Sequence, residues 1–201
     1  MAALADLRPL FHSEADFQHA FAWQLHQQYP DARIRLETRA RSGVRLDVLA
    51  VIDGRRVAIE LKYLLRTLKA TVDGEIFDLP FQSAQDVRRY DFVKDVGRLE
   101  MLRQEGLADD GFAVALTNDP SYWQPNVREG TTDAAFRLPE GRRLAGVLNW
   151  AAHTGAGTMR DRTTPIALGG DYLVTWRDYS KIADERYGHF RYLAIEVLPQ
   201  S

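Results

Sequence analysis

A chain of 201 residues, 45% hydrophobic and 27% charged, has the composition of one soluble globular domain. It has no cysteine, which excludes a disulfide framework and thiolate metal sites, and a net charge of −2 does not mark the whole chain as a binder of nucleic acid. No apolar run approaches the length needed to span a bilayer, and Met1 to Phe11 lacks the basic leader of a signal peptide, so a cytoplasmic location is expected.

In chain order, Ser13 reads as a helix N-cap, with Asp16 in the first turn. Phe17, Ala20, Phe21, Gln24, Leu25 and Gln28 follow at helical spacing, and Tyr29-Pro30 ends the segment. Residues 33–40 alternate Ile34, Leu36 and Thr38 against Arg33, Arg35, Glu37 and Arg39, the pattern of a half-buried strand. Residues 46–62 read as two apolar strands around Asp53-Gly54, a favoured pair for a two-residue hairpin turn. Residues 63–79 carry no assignment beyond a turn at Thr71 to Gly74. A second helix is expected over 81–104, stopping near Gly106, then a buried strand over 111–117 closed by Asn118-Asp119-Pro120. Beyond Pro120 the pattern weakens: a short helix over 144–152 and strands over 172–176 and 190–198 are expected, extending the sheet or forming an annex. The fold expected is α/β or α+β, with a mixed central sheet flanked by helices and a right-handed crossover through the second helix. It is expected as a single domain over 1–201, with a core over 13–118 and a C-terminal elaboration over 119–201.

The hairpin concentrates the chemistry. With residues 53 and 54 as the turn, Ile52 faces Arg55 and Asp47 falls across from Glu60, with Lys62 on the same face. Opposed side chains on neighbouring strands have Cβ atoms about 4.5–5.5 Å apart. Two carboxylates so placed repel unless a cation lies between them, and a divalent metal on oxygen ligands is the simplest such cation. The other face (Leu46, Val48, Ala50, Ile52, Val57, Ile59 and Leu61) is apolar and reads as core. The bland reading of Asp47, Glu60 and Lys62 is a surface ion pair. Their apolar neighbours Leu49, Val51 and Ala58 favour a site. Between residues 31 and 70 ten basic side chains stand against five acids, an excess of +5 that suits a phosphate backbone.

Glu14 opens the stripe that runs through Phe17, Phe21 and Leu25, and so joins the sheet that carries Asp47. A helix glutamate, then Asp47, then Glu60-Leu61-Lys62 across a hairpin, then a helix and a strand, resembles the PD-(D/E)xK nuclease superfamily, whose fold is restriction-endonuclease-like. The resemblance covers about residues 13–118, with Leu46 standing where the family name has proline. It implies a metal-dependent DNA endonuclease of bacterial defence, repair or mobile-element processing. Asp47, Glu60, the Leu61 carbonyl and Glu14 would hold Mg²⁺, with Mn²⁺ as a substitute, and Lys62 would position the attacking water. Arg33, Arg35 and Arg45 form the expected DNA-binding rim, joined by Gln85 and Tyr90 on the second helix through a looser match to some superfamily members. Asp91, Lys94, Asp95 and Arg98 read as an exposed ladder of ion pairs. The alternatives are a non-catalytic DNA-binding scaffold that keeps the fold, and a nuclease directed at RNA. A homodimer or a partner subunit would serve an enzyme that cuts both strands.

Overall fold

The computed structural model describes residues 1–125 and 128–197. A short helix, α1 (Ala2–Leu7), leads into α2 (Glu14–Gln28). Ser13 caps α2, its Oγ accepting from the Asp16 amide at 3.1 Å, and the helix ends before Pro30, where helical backbone is disfavoured. Strands β1 (Arg33–Arg41), β2 (Val44–Ile52) and β3 (Arg55–Leu64) follow as an antiparallel meander. At the β2–β3 turn Asp53 and Gly54 have φ of 49° and 79°, the left-handed pair a two-residue hairpin needs. Ile52 pairs with Arg55 and the ladder runs to Val48–Ile59, the register expected from the turn.

Helix α3 (Gln85–Gln104) then carries the chain to β6 (Asp110–Thr117), which lies parallel to β3. Two later strands, β9 (Trp176–Lys181) and β10 (His189–Val197), extend the sheet, giving the order β1-β2-β3-β6-β10-β9. The architecture is therefore mixed α+β around a mixed central sheet. One face packs α1, α2 and the β4–β5 hairpin (Leu68–Val72, Glu75–Leu79), through Phe11, Phe17, Val48, Ile59, Leu61, Tyr63 and Phe77. The other packs α3 and the β7–β8 pair (Arg143–Leu148, Ile166–Leu173), through Ala58, Val93, Val96, Leu99, Leu144 and Leu168. No helix among the described residues is long and apolar enough to cross a membrane.

Several expectations are corrected. The unassigned stretch 63–79 holds the β4–β5 hairpin, whose Asp73-Gly74 turn (φ 51° and 82°) repeats the chemistry of Asp53-Gly54. Helix α3 starts at Gln85, not at residue 81, because the chain before it is tied to β3's exit. The Gln82 amide donates to the Leu65 carbonyl, Gln82 Oε1 accepts from the Leu65 amide, and Ala84 is left-handed. The expected helix over 144–152 is strand β7: Leu144 and Leu148, four apart, fit a strand's even face as well as a helix turn. The strand expected over 172–176 is divided between β8 and β9. The strand expected over 190–198 is β10, with its last residue, Leu198, outside the described residues.

Candidate active site

The site forms where β2 parts from β3. Alternate residues of β3 turn their amides toward β2, and the last ladder pair is Val48–Ile59. Leu61 and Tyr63 therefore have amides with no strand partner, and a buried amide left unpaired is costly. Side chains take the strand's place. Asp47 Oδ2 accepts from the Leu61 amide at 2.7 Å, and Glu14 Oε2, from the first turn of α2, accepts from the Tyr63 amide at 2.9 Å. The Asp47 carbonyl, freed by the same splay, accepts from Gln18 Nε2 at 2.6 Å, and Gln18 also reaches Glu37 Oε1 at 3.1 Å. The expectation that Asp47 lies across from Glu60 in the ladder is thus corrected: the register holds, but the ladder stops one pair short. Leu46 likewise leaves Leu61; it pairs with Thr38 of β1 and packs in the core on the α3 side.

Glu60 and Lys62 project from β3 toward α3. Lys62 Nζ lies 2.8 Å from Asp95 Oδ2, and Arg98 Nη2 lies 2.7 Å from both Glu60 Oε1 and Asp95 Oδ1. Glu60 is 2% exposed and Asp95 5%. Two buried acids and two partly exposed cations thus form a compact quartet. Glu60 Oε1 and Asp95 Oδ2 are close to their cations but make no hydrogen bond among the described residues. The expected exposed ladder on α3 is corrected here. Lys94 alone of the four is exposed, and Asp91 binds Arg162 at 2.8 Å. Asp95 sits three residues after Phe92 and four before Leu99, so it falls within the buried stripe.

Burial governs the ionisation of the group. It pushes the Glu60 carboxyl up to about 9, with Asp95 and Asp47 adding to the shift and Arg98 and Lys62 opposing it. Burial also raises Asp95, against the pull of Lys62 and Arg98. Glu14 is raised by burial, partly offset by the Tyr63 amide and Lys62. For Lys62 burial acts downward, but Asp95, then Asp47 and Glu14, outweigh it, so the ammonium sits above its usual range.

The fit to a divalent metal follows from these contacts. Carboxylates and a backbone carbonyl are hard oxygen donors of the kind Mg²⁺ prefers. Glu14 and Asp47 each spend one oxygen on β3 and make no protein hydrogen bond with the other, among the described residues. The Leu61 carbonyl faces Lys62 Nζ at 3.5 Å, and Glu60 Oε1 is an unsatisfied buried acceptor. The donor types fit. The four expected ligands are not, however, drawn into one metal-holding group: no three acidic or histidine side chains among the described residues converge so. Glu60 is held by Arg98 instead.

The expected nucleic-acid contacts divide. Arg33 and Arg35 are exposed on the edge strand β1, opposite Val51 and Leu49, and share the face from which Asp47 springs. Arg45 pairs with Glu37 at 2.9 Å. Gln85 Nε2 donates to Asp119 Oδ2 at 3.2 Å. Tyr90 is withdrawn from any surface role: its ring stacks on Trp150, 5.4 Å between centroids, and its hydroxyl donates to the Thr164 carbonyl at 2.9 Å. The basic excess over residues 31–70 is also smaller in space than in sequence, since Arg41, Arg55, Arg56, Arg66 and Lys69 pair with Glu105, Asp110, Asp109, Asp119 and Asp78.

Gln18, Asp95 and Arg98 complete the site and were not anticipated there. Gln18 stands four residues after Glu14, one turn along the same face of α2. Compared with known proteins, the chain matches no protein-family model, no curated protein and no solved structure.

Proposed function

We propose that this protein is a metal-dependent endonuclease that hydrolyses phosphodiester bonds, with DNA as its substrate. The observation that carries the reading is the splay of β2 from β3. It lets Asp47 and Glu14 each hold a β3 amide by one oxygen, on the strand that also carries Glu60 and Lys62. The order α2, β1–β3, α3, β6 supports the likeness to the restriction-endonuclease-like core, with the β4–β5 hairpin as an insertion.

In this reading Glu14, Asp47, Glu60 and the Leu61 carbonyl would hold Mg²⁺, which when bound supplies a nucleophilic water near neutral pH and charge on the phosphate oxygens. Asp47 and Glu14 are oriented in advance, because their second oxygens are fixed to backbone amides. Lys62 stays protonated and offers a point charge to the phosphate as it gains negative charge. Glu60, held by Arg98 in this structure, would join the donors once released from it. Incubation of supercoiled plasmid with the protein and Mg²⁺, against the same mixture with EDTA, tests the reading. Nicked or linear DNA only with Mg²⁺ is expected. Intact plasmid under Mg²⁺ and Mn²⁺, with single-stranded DNA and RNA also uncut, overturns it.

The closed quartet favours a second reading, a DNA-binding scaffold in which Arg98 stands permanently where a metal would. A scaffold binds DNA but shows no Mg²⁺-dependent rise in melting temperature, which separates the two.

A further inference from the structure

Three arginine–aromatic contacts gather at the carboxyl ends of the parallel strands β3 and β6. The Arg66 guanidinium, two residues past β3, lies 4.7 Å from the centroid of the Phe81 ring and 5.6 Å from that of Tyr187. Arg186 lies 5.1 Å from the same Tyr187 ring. The cluster is held from beneath. Asn118, one residue past β6, accepts from the Arg66 amide at 2.7 Å and donates to the Arg66 and Tyr187 carbonyls at 3.2 and 3.0 Å. Arg66 Nε is 3.3 Å from Asp119 Oδ2 on a side chain that is almost wholly buried. Three separate chain segments are thus tied at one point before any ligand arrives.

The tie alone would be satisfied with its rings buried. Phe81 instead keeps 45% of its surface exposed. Arg186, next to Tyr187 in the chain, is exposed and carries no ion pair among the described residues. An exposed aromatic ring, with a second exposed arginine in the same cluster, matches one ligand chemistry, a flat π-face attached to an anion. That is a nucleobase and its phosphate. Inside a duplex both faces of a base are covered by its neighbours, so a protein ring meets a base face only where the strand is unpaired.

We propose that Phe81, Tyr187 and Arg186, fixed by Arg66, form a stacking platform for an unpaired nucleotide. The choice of ligand rests on the nuclease reading above. Arg66 is four residues from Lys62, at most about 13 Å along an extended chain, so a strand seated on the platform reaches the candidate site within a few nucleotides. The substrate class this selects is nucleic acid with a single-stranded stretch beside the cleavage point, such as a flap, a bubble or a free strand.

The experiment is fluorescence anisotropy with labelled single-stranded DNA, single-stranded RNA and duplex DNA, in EDTA so that no cleavage occurs. Wild type is expected to bind a single strand more tightly than the duplex. Phe81→Ala and Phe81→Leu should each lose about tenfold in single-strand affinity, within the range for one stacked base, with duplex affinity unchanged. Phe81→Trp should restore it, and Tyr187→Ala should lose a similar factor. Thermal melting confirms that each variant is folded, which the exposure of Phe81 favours. Single-strand affinity of Phe81→Leu equal to wild type overturns the proposal, as does wild type binding neither strand type. The DNA and RNA arms identify which strand is preferred. The plasmid assay keeps the two readings apart: cleavage with an unaltered Phe81→Leu affinity sinks the platform alone, while a Phe81-dependent affinity without cleavage sinks the nuclease alone.

Discussion

Asp47 and Glu14 act first as pieces of backbone, accepting amides that a continued β2 would have taken. Asp47→Ala should therefore destabilise the metal-free protein, although it removes a carboxylate from an acidic cluster. The orphaned Leu61 amide costs about 1–3 kcal/mol, which denaturant titration would read. A gain in stability would mean that repulsion among the acids outweighs the amide contact. Glu60 makes the complementary prediction in pH. Its carboxyl is raised from the usual 4.5 to about 9 by burial, so the folded protein binds the proton more tightly than the unfolded chain. The stability this lends is complete below 4.5 and is lost as pH rises toward 9, and the raised Asp95 acts in the same sense. In the metal-free protein Glu60→Gln should flatten the fall in stability between pH 6 and pH 9, compared by urea unfolding at the two values. An equal slope in variant and wild type would place Glu60's proton elsewhere.

At the scale of elements, α3 decides whether the site is open. It runs over β3 and sets Asp95 against Lys62 and Arg98 against Glu60. Arg98→Met keeps an unbranched though shorter side chain and removes its charge. It should lower stability without metal, since Glu60 and Asp95 lose a cation they share. It should also enlarge the rise in melting temperature produced by Mg²⁺, because Glu60 no longer has to leave Arg98. An unchanged Mg²⁺ response would show that Arg98 does not compete with metal. The β4–β5 hairpin and the β7–β8 pair cover opposite faces of the sheet and leave this contact between α3 and β3 in place.

For the whole molecule the predictions concern nucleic acid. Lys62→Ala removes a charge that matters most as the phosphate gains negative charge, so cleavage should fall about a hundredfold or more while DNA affinity stays near wild type. Equal losses in binding and cleavage would make Lys62 a simple contact. Arg33 and Arg35 lie on the outer edge of the sheet with no ion pair among the described residues, unlike Arg41, Arg45, Arg55, Arg56, Arg66 and Lys69. A double Arg33→Ala, Arg35→Ala variant should weaken DNA binding and reduce its salt slope by about two, one for each phosphate lost. An unaltered slope would move the DNA path off β1.

Features that depend on near neighbours along the chain were legible in the residues alone. The Asp53-Gly54 turn fixed the register of β2 on β3, because only one alignment follows a two-residue turn with both φ positive. Ser13 and Pro30 set the ends of α2 through a side-chain cap and a steric stop, and the alternation of Ile34 and Leu36 with arginines marked β1. Asp47, Glu60 and Lys62 were legible for the same reason. The point where β2 lets go of β3 was not legible, since there Leu46 stays paired with Thr38 of β1 and Gln18 reaches the Asp47 carbonyl from α2, contacts between segments far apart in the chain. Only the tertiary structure turned Asp95 and Arg98 inward, because which side of α3 meets charge rather than solvent depends on where the crossover to β6 lays the helix. Tyr90, expected at the nucleic acid through the looser superfamily match, is buried for that same reason: its side of α3 faces Phe136 and Trp150, and no pattern local to the helix records where those rings come from.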